Sequence, residues 1–272
     1  MSHPLGAGAR VTVLLAHRDC TWGLERALRS ILGQTLDALQ LVLIDDDSAD
    51  TAGVQAIVNA CADPRLVTLR TTRNVGQFRI YSRLLPAIAS PLIAYQDADD
   101  WSAPERLETL VGALEQGGWD VLGSAAARRD RQGRPLPTVT PPRDVNSACA
   151  WRCRGGAVYG PTTLCRTEFV RRLGGYDGMT RFGADTDFAF RAVFAGRVGN
   201  LPQALYEATV HGDSLTGSPS TGFGSAARNR YIRTISRRFY GNLLRSTLRP
   251  VTLERLQARP CNVDFDVVPW GT

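Results

Sequence analysis

Over the first hundred residues, short apolar runs alternate with stretches of helical spacing. The runs are VTVLL (11–15), LVLI (41–44), LVTLR (66–70) and LIAY (92–95). Between the first two, Leu24, Leu28, Ile31 and Leu32 recur on one helical face. A second helix is predicted over about 50–60 and a third from Tyr81 to Ile88. Strands separated by helices predict βαβ units and a mostly parallel sheet. Runs that are apolar throughout predict strands buried on both faces.

The pattern loosens further along. Pro104 and Glu105 open a helix running to about Gln116. Residues 128–147 read as loop with an irregular hairpin, and PTTLCR (161–166) as a strand. Thr167 is expected to cap a short helix, EFVRRLGG, ending at Gly174–Gly175. Another helix starts near Asp185. Gly212 to Gly224 is rich in Gly, Ser, Thr and Pro and reads as a mobile loop, a candidate lid. Ala226 to Leu248 has the pattern of an arginine-rich helix. No internal repeat is present.

Composition narrows the class. The chain has 272 residues, 43% of them hydrophobic, enough for a core in one large domain. No stretch reaches the roughly 18–20 apolar residues of a membrane span. MSHPLGAGAR lacks a signal-peptide core, so the expected location is cytoplasmic. The net charge is +6, and every one of the 32 basic residues is arginine. That balance suits anionic ligands such as diphosphates, or an anionic membrane surface. No nucleic-acid-binding module accompanies the charge, so no nucleic-acid partner is expected. The cysteines Cys20, Cys61, Cys149, Cys153, Cys165 and Cys261 form no CxxC pair, so reduced, mostly buried thiols are expected.

The informative chemistry is acidic. DDDSAD (45–50) follows the second apolar run and QDADD (96–100) the fourth. In parallel sheets ligands bind at the carboxyl ends of strands. Asp97, Asp99 and Asp100 would repel one another, and a divalent cation removes the repulsion. Mg²⁺ or Mn²⁺ is typically held by one or two carboxylates together with substrate phosphates. The plain alternative is that Asp45, Asp46 and Asp47 cap the following helix.

Several ordered motifs together resemble glycosyltransferase family 2, enzymes of the GT-A fold that use nucleotide-sugar donors. The motifs are VTVLLAHRD, SILGQT (30–35), LVLIDDDSADT, RNVG (73–76), LIAYQDADDWSAPERL, GGYD (174–177), GADTDFAFR (183–191) and HGDS (211–214), spanning about residues 9–215. The resemblance implies an α/β GT-A fold with a C-terminal helical extension. It implies a donor half over about 1–100, an acceptor half over about 101–221, and the extension over 222–272. It further implies that Ala16, His17 and Arg18 form the loop cradling the base, and that Asp45 or Asp46 binds the nucleobase edge, uracil by expectation. Arg73 would meet base or phosphate, and Asp97 would lie near the ribose. Asp99 would bind Mn²⁺ or Mg²⁺, with His211 approaching the metal or diphosphate. Asp185 matches the catalytic base of an inverting transfer to an acceptor hydroxyl.

The chain departs from the family pattern at three places. Ala16-His17-Arg18-Asp19 replaces the usual Pro-Thr-Tyr-Asn. Ala184 stands where an acid usually precedes the base, which should lower the base's proton affinity. Tyr81-Ser82 replaces a frequent Arg-Asn pair. These departures keep two competitors open: a non-catalytic sugar-nucleotide-binding protein and a sugar-1-phosphate nucleotidyltransferase. The latter needs a Gly-rich basic phosphate loop, which ARVTVLLAHRDC does not supply. Asp185 could instead be a helix N-cap, and Trp101 and Trp151 are candidates for stacking on sugars. The helix bearing Arg228, Arg230, Arg233, Arg237, Arg238 and Arg245 could lie on an anionic membrane or simply pack on the domain. The acceptor class stays open among glycan, lipid-linked sugar, protein and small natural product.

Overall fold

A computed structural model describes residues 4–151, 157–212, 214 and 216–270, with side chains of Ala150 and Trp151 excepted. Trp151 as a stacking residue and the thiol of Cys153 therefore lie outside the described residues. The first hundred residues read β1 (Val11–His17), α1 (Thr21–Leu32), β2 (Leu39–Asp45), α2 (Thr51–Cys61), β3 (Leu66–Thr71), α3 (Gln77–Leu84) and β4 (Leu92–Tyr95). Then come β5 (Trp101–Ser102), α4 (Arg106–Gly117), β6 (Val121–Asp130), β7 (Pro135–Val139), α5 (Val145–Trp151), β8 (Leu164–Arg166) and α6 (Thr167–Arg172). The chain ends with α7 (Ala184–Ala192), β9 (Val198–Val210), α8 (Ala226–Ser246) and β10 (Val267–Pro269).

Among the described residues the strands form one sheet in the order β10-β3-β2-β1-β4-β8-β6-β9-β5, with β7 paired to β6. β3, β2, β1 and β4 are mutually parallel, in line with the apolar runs. Alternate residues of these strands enter two cores. Val13, Leu15, Leu41, Leu43 and Ala94 pack beneath α1 and α4, whereas Leu14, Val42, Ile44 and Ile93 face α3, α6 and α7. Both sheet faces are thus covered, and a fully buried Leu or Ile contributes about 1.5–3 kcal/mol. Among the described residues no helix is long and apolar enough to cross a membrane.

Several elements differ from the sequence expectation. Within 128–147 the expected irregular hairpin is present as the end of β6 paired to β7 with a register shift, but the segment also holds the start of α5, which the sequence pattern does not predict. β9, thirteen residues long, has no counterpart in the predicted elements. Its register against β6 jumps from Ser124↔Leu201 to Ala125↔Ala204, so Pro202 and Gln203 bulge out and break the alternation. Thr167 does not cap α6; it is the first helical residue, and its hydroxyl donates to the Ser90 carbonyl at 2.7 Å. The cap of α2 is Asp50, which accepts from Gly53 N–H at 2.9 Å, so Asp45, Asp46 and Asp47 are not spent as helix caps. The C-terminal segment is more than helical. After α8 it returns across the domain, places Leu256 and Phe265 in the core, and adds β10 antiparallel to β3.

Two buried acids tie that segment down. Asp187 holds Arg191 at 2.8 Å and also pairs with Arg238 of α8. Arg191 in turn donates to the Leu173 and Leu256 carbonyls at 2.7 and 3.1 Å. Burial by itself would raise the Asp177 carboxyl. It accepts from Tyr231 at 2.9 Å and from Arg259 at 2.6 Å, and these partners hold it below the usual range.

Candidate active site

The carboxyl ends of the four parallel strands lie side by side. His17 is in register with Asp45, and Asp45 with Arg70. The loops leaving β1, β2, β3 and β4 therefore share one edge, where an open α/β sheet binds ligands.

The first half of this edge is a hydrogen-bonded frame. Asp46, buried, accepts from Val75 N–H at 2.8 Å and Gly76 N–H at 2.7 Å. Asn74 Nδ2 donates to it at 3.1 Å and Thr71 Oγ1 at 3.2 Å. The RNVG turn is thus wrapped around one carboxylate. Gly76 adopts φ +90°, and an added Cβ there would crowd Arg181. Asp45 is buried against His17 Nδ1 and Arg70, each at 3.3 Å, and Ser48 N–H at 3.1 Å. Its burial pushes its proton affinity up, but these partners outweigh it and hold the carboxyl below the ordinary range. His17 Nε2 accepts from Cys20 N–H at 3.0 Å, so the ring proton sits on Nδ1, facing Asp45.

Of the sequence-predicted donor residues, His17, Asp45 and Asp46 come together in this frame. Ala16 adjoins it and donates its N–H to Tyr81 Oη at 3.2 Å. Arg18 is exposed at the rim beside Asp19. Arg73 is also exposed; the ion pairs to Asp45 and Asp47 come from Arg70, which sequence reasoning does not single out.

The second half gathers the other acids. β5 pairs with β9, Trp101 opposite Glu207, and so sets the QDADD turn against residues 206–211. Asp100 Oδ1 accepts from Thr209 N–H at 2.7 Å, and Tyr206 Oη accepts from Asp97 N–H at 3.1 Å. Asp99 Oδ2 lies 2.7 Å from His211 Nε2. On the other side α1 presses close, since a Cβ added at Gly23 would come within 2.8 Å of the Asp99 backbone. The three neighbouring acids thus divide. Asp100 anchors β9, Asp99 meets His211, and the Asp97 carboxylate accepts no hydrogen bond among the described residues. Burial, then the charges of Asp99 and Asp185, push Asp97 up to about 7. Asp100 is likewise raised, by burial and then by the charges of Asp99 and Asp97.

Asp185 faces this cluster from α7. It is not the N-cap, a place taken by Gly183. Its Oδ1 accepts from Thr186 N–H at 2.8 Å, and Gly160 leaves the space its Oδ2 occupies. Burial raises its proton affinity, opposed by that hydrogen bond and by the positive charge of Arg228. The decrease expected from Ala184 is thus outweighed by burial. Arg228 lies between the rings of Phe182 and Phe223 and donates to the Thr221 carbonyl at 2.6 Å.

Sequence reasoning misses three further residues. Arg106 is fully buried below the cluster and donates to the Tyr95, Pro161, Gln96 and Ser102 oxygens at 2.7–3.1 Å. Trp22, 47% exposed, stands edge-on to His211 with Arg131 over its face. Tyr206 shares its ring face with Arg106. Trp101, by contrast, packs against the core. Burial, with Asp99 nearby, pushes the Cys20 thiol up to about 12, so it is no reactive thiolate.

A sheet covered on both faces, with acids at its strand ends, is an α/β architecture with its ligand edge there, and its structural neighbours are GT-A glycosyltransferases. The crystal structure of S. aureus TarS 1–349 with UDP-GlcNAc superposes with a TM-score of 0.61 at 19% identity, covering 74% of this chain and 59% of that one. The family model for glycosyl transferase family 2 matches residues 22–171, more than half of the chain. The chain therefore belongs to glycosyltransferase family 2. EpsE of Bacillus subtilis (strain 168), named a glycosyltransferase, is 29% identical over 220 residues, covering 78% of this chain and 77% of EpsE. The succinoglycan biosynthesis protein ExoU of Rhizobium meliloti (strain 1021) is 29% identical over 229 residues; this chain spans 65% of its length.

Proposed function

We propose that this glycosyltransferase transfers a sugar from a UDP-sugar to an acceptor hydroxyl, with inversion and with the help of Mn²⁺ or Mg²⁺. The observation that carries the proposal is the convergence of Asp97, Asp99, Asp185 and His211 at the carboxyl ends of parallel strands. TarS, with the same fold, has been solved with UDP-GlcNAc and with UDP, which supports the uridine donor.

Among the described residues no three His, Cys, Asp or Glu side chains form a metal cage. A Mg²⁺-type ion needs no such cage, because one or two carboxylates and substrate phosphates complete its shell. Asp99 and His211 fit that role, beside the raised carboxyl of Asp97. Bound there, the ion would supply positive charge opposite the departing diphosphate.

The chain's own groups account for the rest. Arg70 and His17 keep Asp45 ionised and fixed, and Asp46 holds the RNVG turn that walls the base. Asp185 accepts the proton of the acceptor hydroxyl. That oxygen bonds to the anomeric carbon as the bond from that carbon to the diphosphate oxygen breaks, and UDP leaves with the electron pair. Attack from the face opposite the leaving group inverts the configuration.

Incubation with a panel of UDP-, GDP-, dTDP- and CDP-sugars plus Mn²⁺ tests this reading. Release of UDP from one UDP-sugar, with an inverted linkage in the product by NMR, is expected. A retained linkage, or turnover confined to another base, would overturn it.

A further inference from the structure

The outer face of α8 does not resemble ordinary solvated surface. The helix packs inward through Ile235, Phe239 and Asn242, all buried. On the opposite side Arg230, Arg233, Arg237, Tyr240 and Leu244 follow at spacings of three or four, hence on one face, and Leu248 lies two residues past the helix end. Leu244 is 72% exposed, Leu248 88% and Tyr240 48%. Among the described residues the three arginines make no ion pair, unlike Arg238, whose charge is used inward on Asp187. From Ser214 to Leu253 the sequence holds seven arginines and no acid.

We propose that this face docks on an anionic lipid bilayer. Exposed leucines gain by entering the boundary between headgroups and acyl chains, while guanidinium groups stay among the phosphates on their long stems. Juxtamembrane arginines are drawn to the negative surface potential of such a leaflet. The charge pattern selects this occupant over the alternatives. A nucleic acid would neutralise the arginines but leave Leu244 and Leu248 in water. A second copy seated on the same face would set arginine against arginine with no acid to pair them. Docking needs no part of the acid cluster, so it stands apart from the proposed chemistry.

Vesicle flotation of the full chain tests the idea. Binding to phosphatidylcholine vesicles containing phosphatidylserine is expected, and none to pure phosphatidylcholine. Binding should weaken as salt shortens the Debye length from about 10 Å at 0.1 M to 3 Å at 1 M. The doubles L244S/L248S and R233Q/R237Q should each reduce vesicle binding about tenfold or more, with unchanged melting temperatures, since both apolar burial and charge contribute to interfacial binding. Absence of vesicle binding by the wild-type chain, or equal binding by folded variants, would overturn the proposal. So would duplex DNA or RNA binding that outcompetes vesicles, or a concentration-dependent dimer that L244S/L248S abolishes while flotation persists.

Discussion

Asp185→Asn is expected to lower turnover about 10²–10⁴-fold, the usual contribution of a positioned general base, while donor affinity stays unchanged. The amide keeps an oxygen for Thr186 N–H and the volume beside Gly160, so the local structure survives. Only the proton acceptor is lost. The wild-type pH profile should carry the same signature. A base works deprotonated, and burial lifts Asp185 above the ordinary carboxylate range. Turnover should therefore rise with pH through that raised value, and the acidic limb should vanish in the variant. Steady-state kinetics across pH would show it. An Asp185→Asn enzyme with wild-type kcat would remove Asp185 from the chemistry.

Arg106→Leu is expected to be the most destabilising single change at the site. The guanidinium is fully buried and serves two carbonyls, Tyr95 and Pro161, besides Gln96 and Ser102. Burial lowers its pKa to about 10, which still leaves it a cation at neutral pH. Leucine replaces the stem but strands those oxygens and removes the positive charge that Asp97 and Asp100 face. Removing one member of a buried charge network costs about 3–5 kcal/mol. At roughly 2–4 °C per kcal/mol for a domain near this size, the melting temperature should fall by roughly 6–20 °C. Arg106→Lys should recover only part, because a point charge cannot span both carbonyls. A leucine variant melting with the wild type would show that the buried guanidinium is dispensable.

The parallel half of the fold is legible because β1, β2 and β4 are buried on both faces and read as mostly apolar runs, while β3, partly exposed, keeps enough apolar residues to stand out. β9 is not, because Pro202 and Gln203 bulge from the ladder and interrupt its period. Neither is β10, because three residues ending in Pro269 carry no periodic signal, and its place at the sheet edge is set by packing of the tail. The acids of the site are legible as types and positions, not as partners. Nothing in DDDSAD says that Asp46 collects the N–H groups of Val75 and Gly76, which lie beyond α2 and β3 in the chain. In QDADD, identical side chains receive different tasks only once β9 supplies Thr209 and, just past its end, His211 follows. Arg106 in APERL looks like any solvated first-turn arginine; its burial depends on Tyr206 and Pro161, both distant in sequence.

The most direct test is the melting temperature of the chain with UDP, GDP, dTDP and CDP, each with and without Mn²⁺. A ligand at a hundredfold excess over its dissociation constant stabilises by about 2.7 kcal/mol, a shift of several degrees. Such a shift is expected with UDP, dependent on Mn²⁺ and lost in Asp99→Asn. A well-folded chain that no nucleotide stabilises, with or without metal, would contradict a nucleotide-sugar site at these acids.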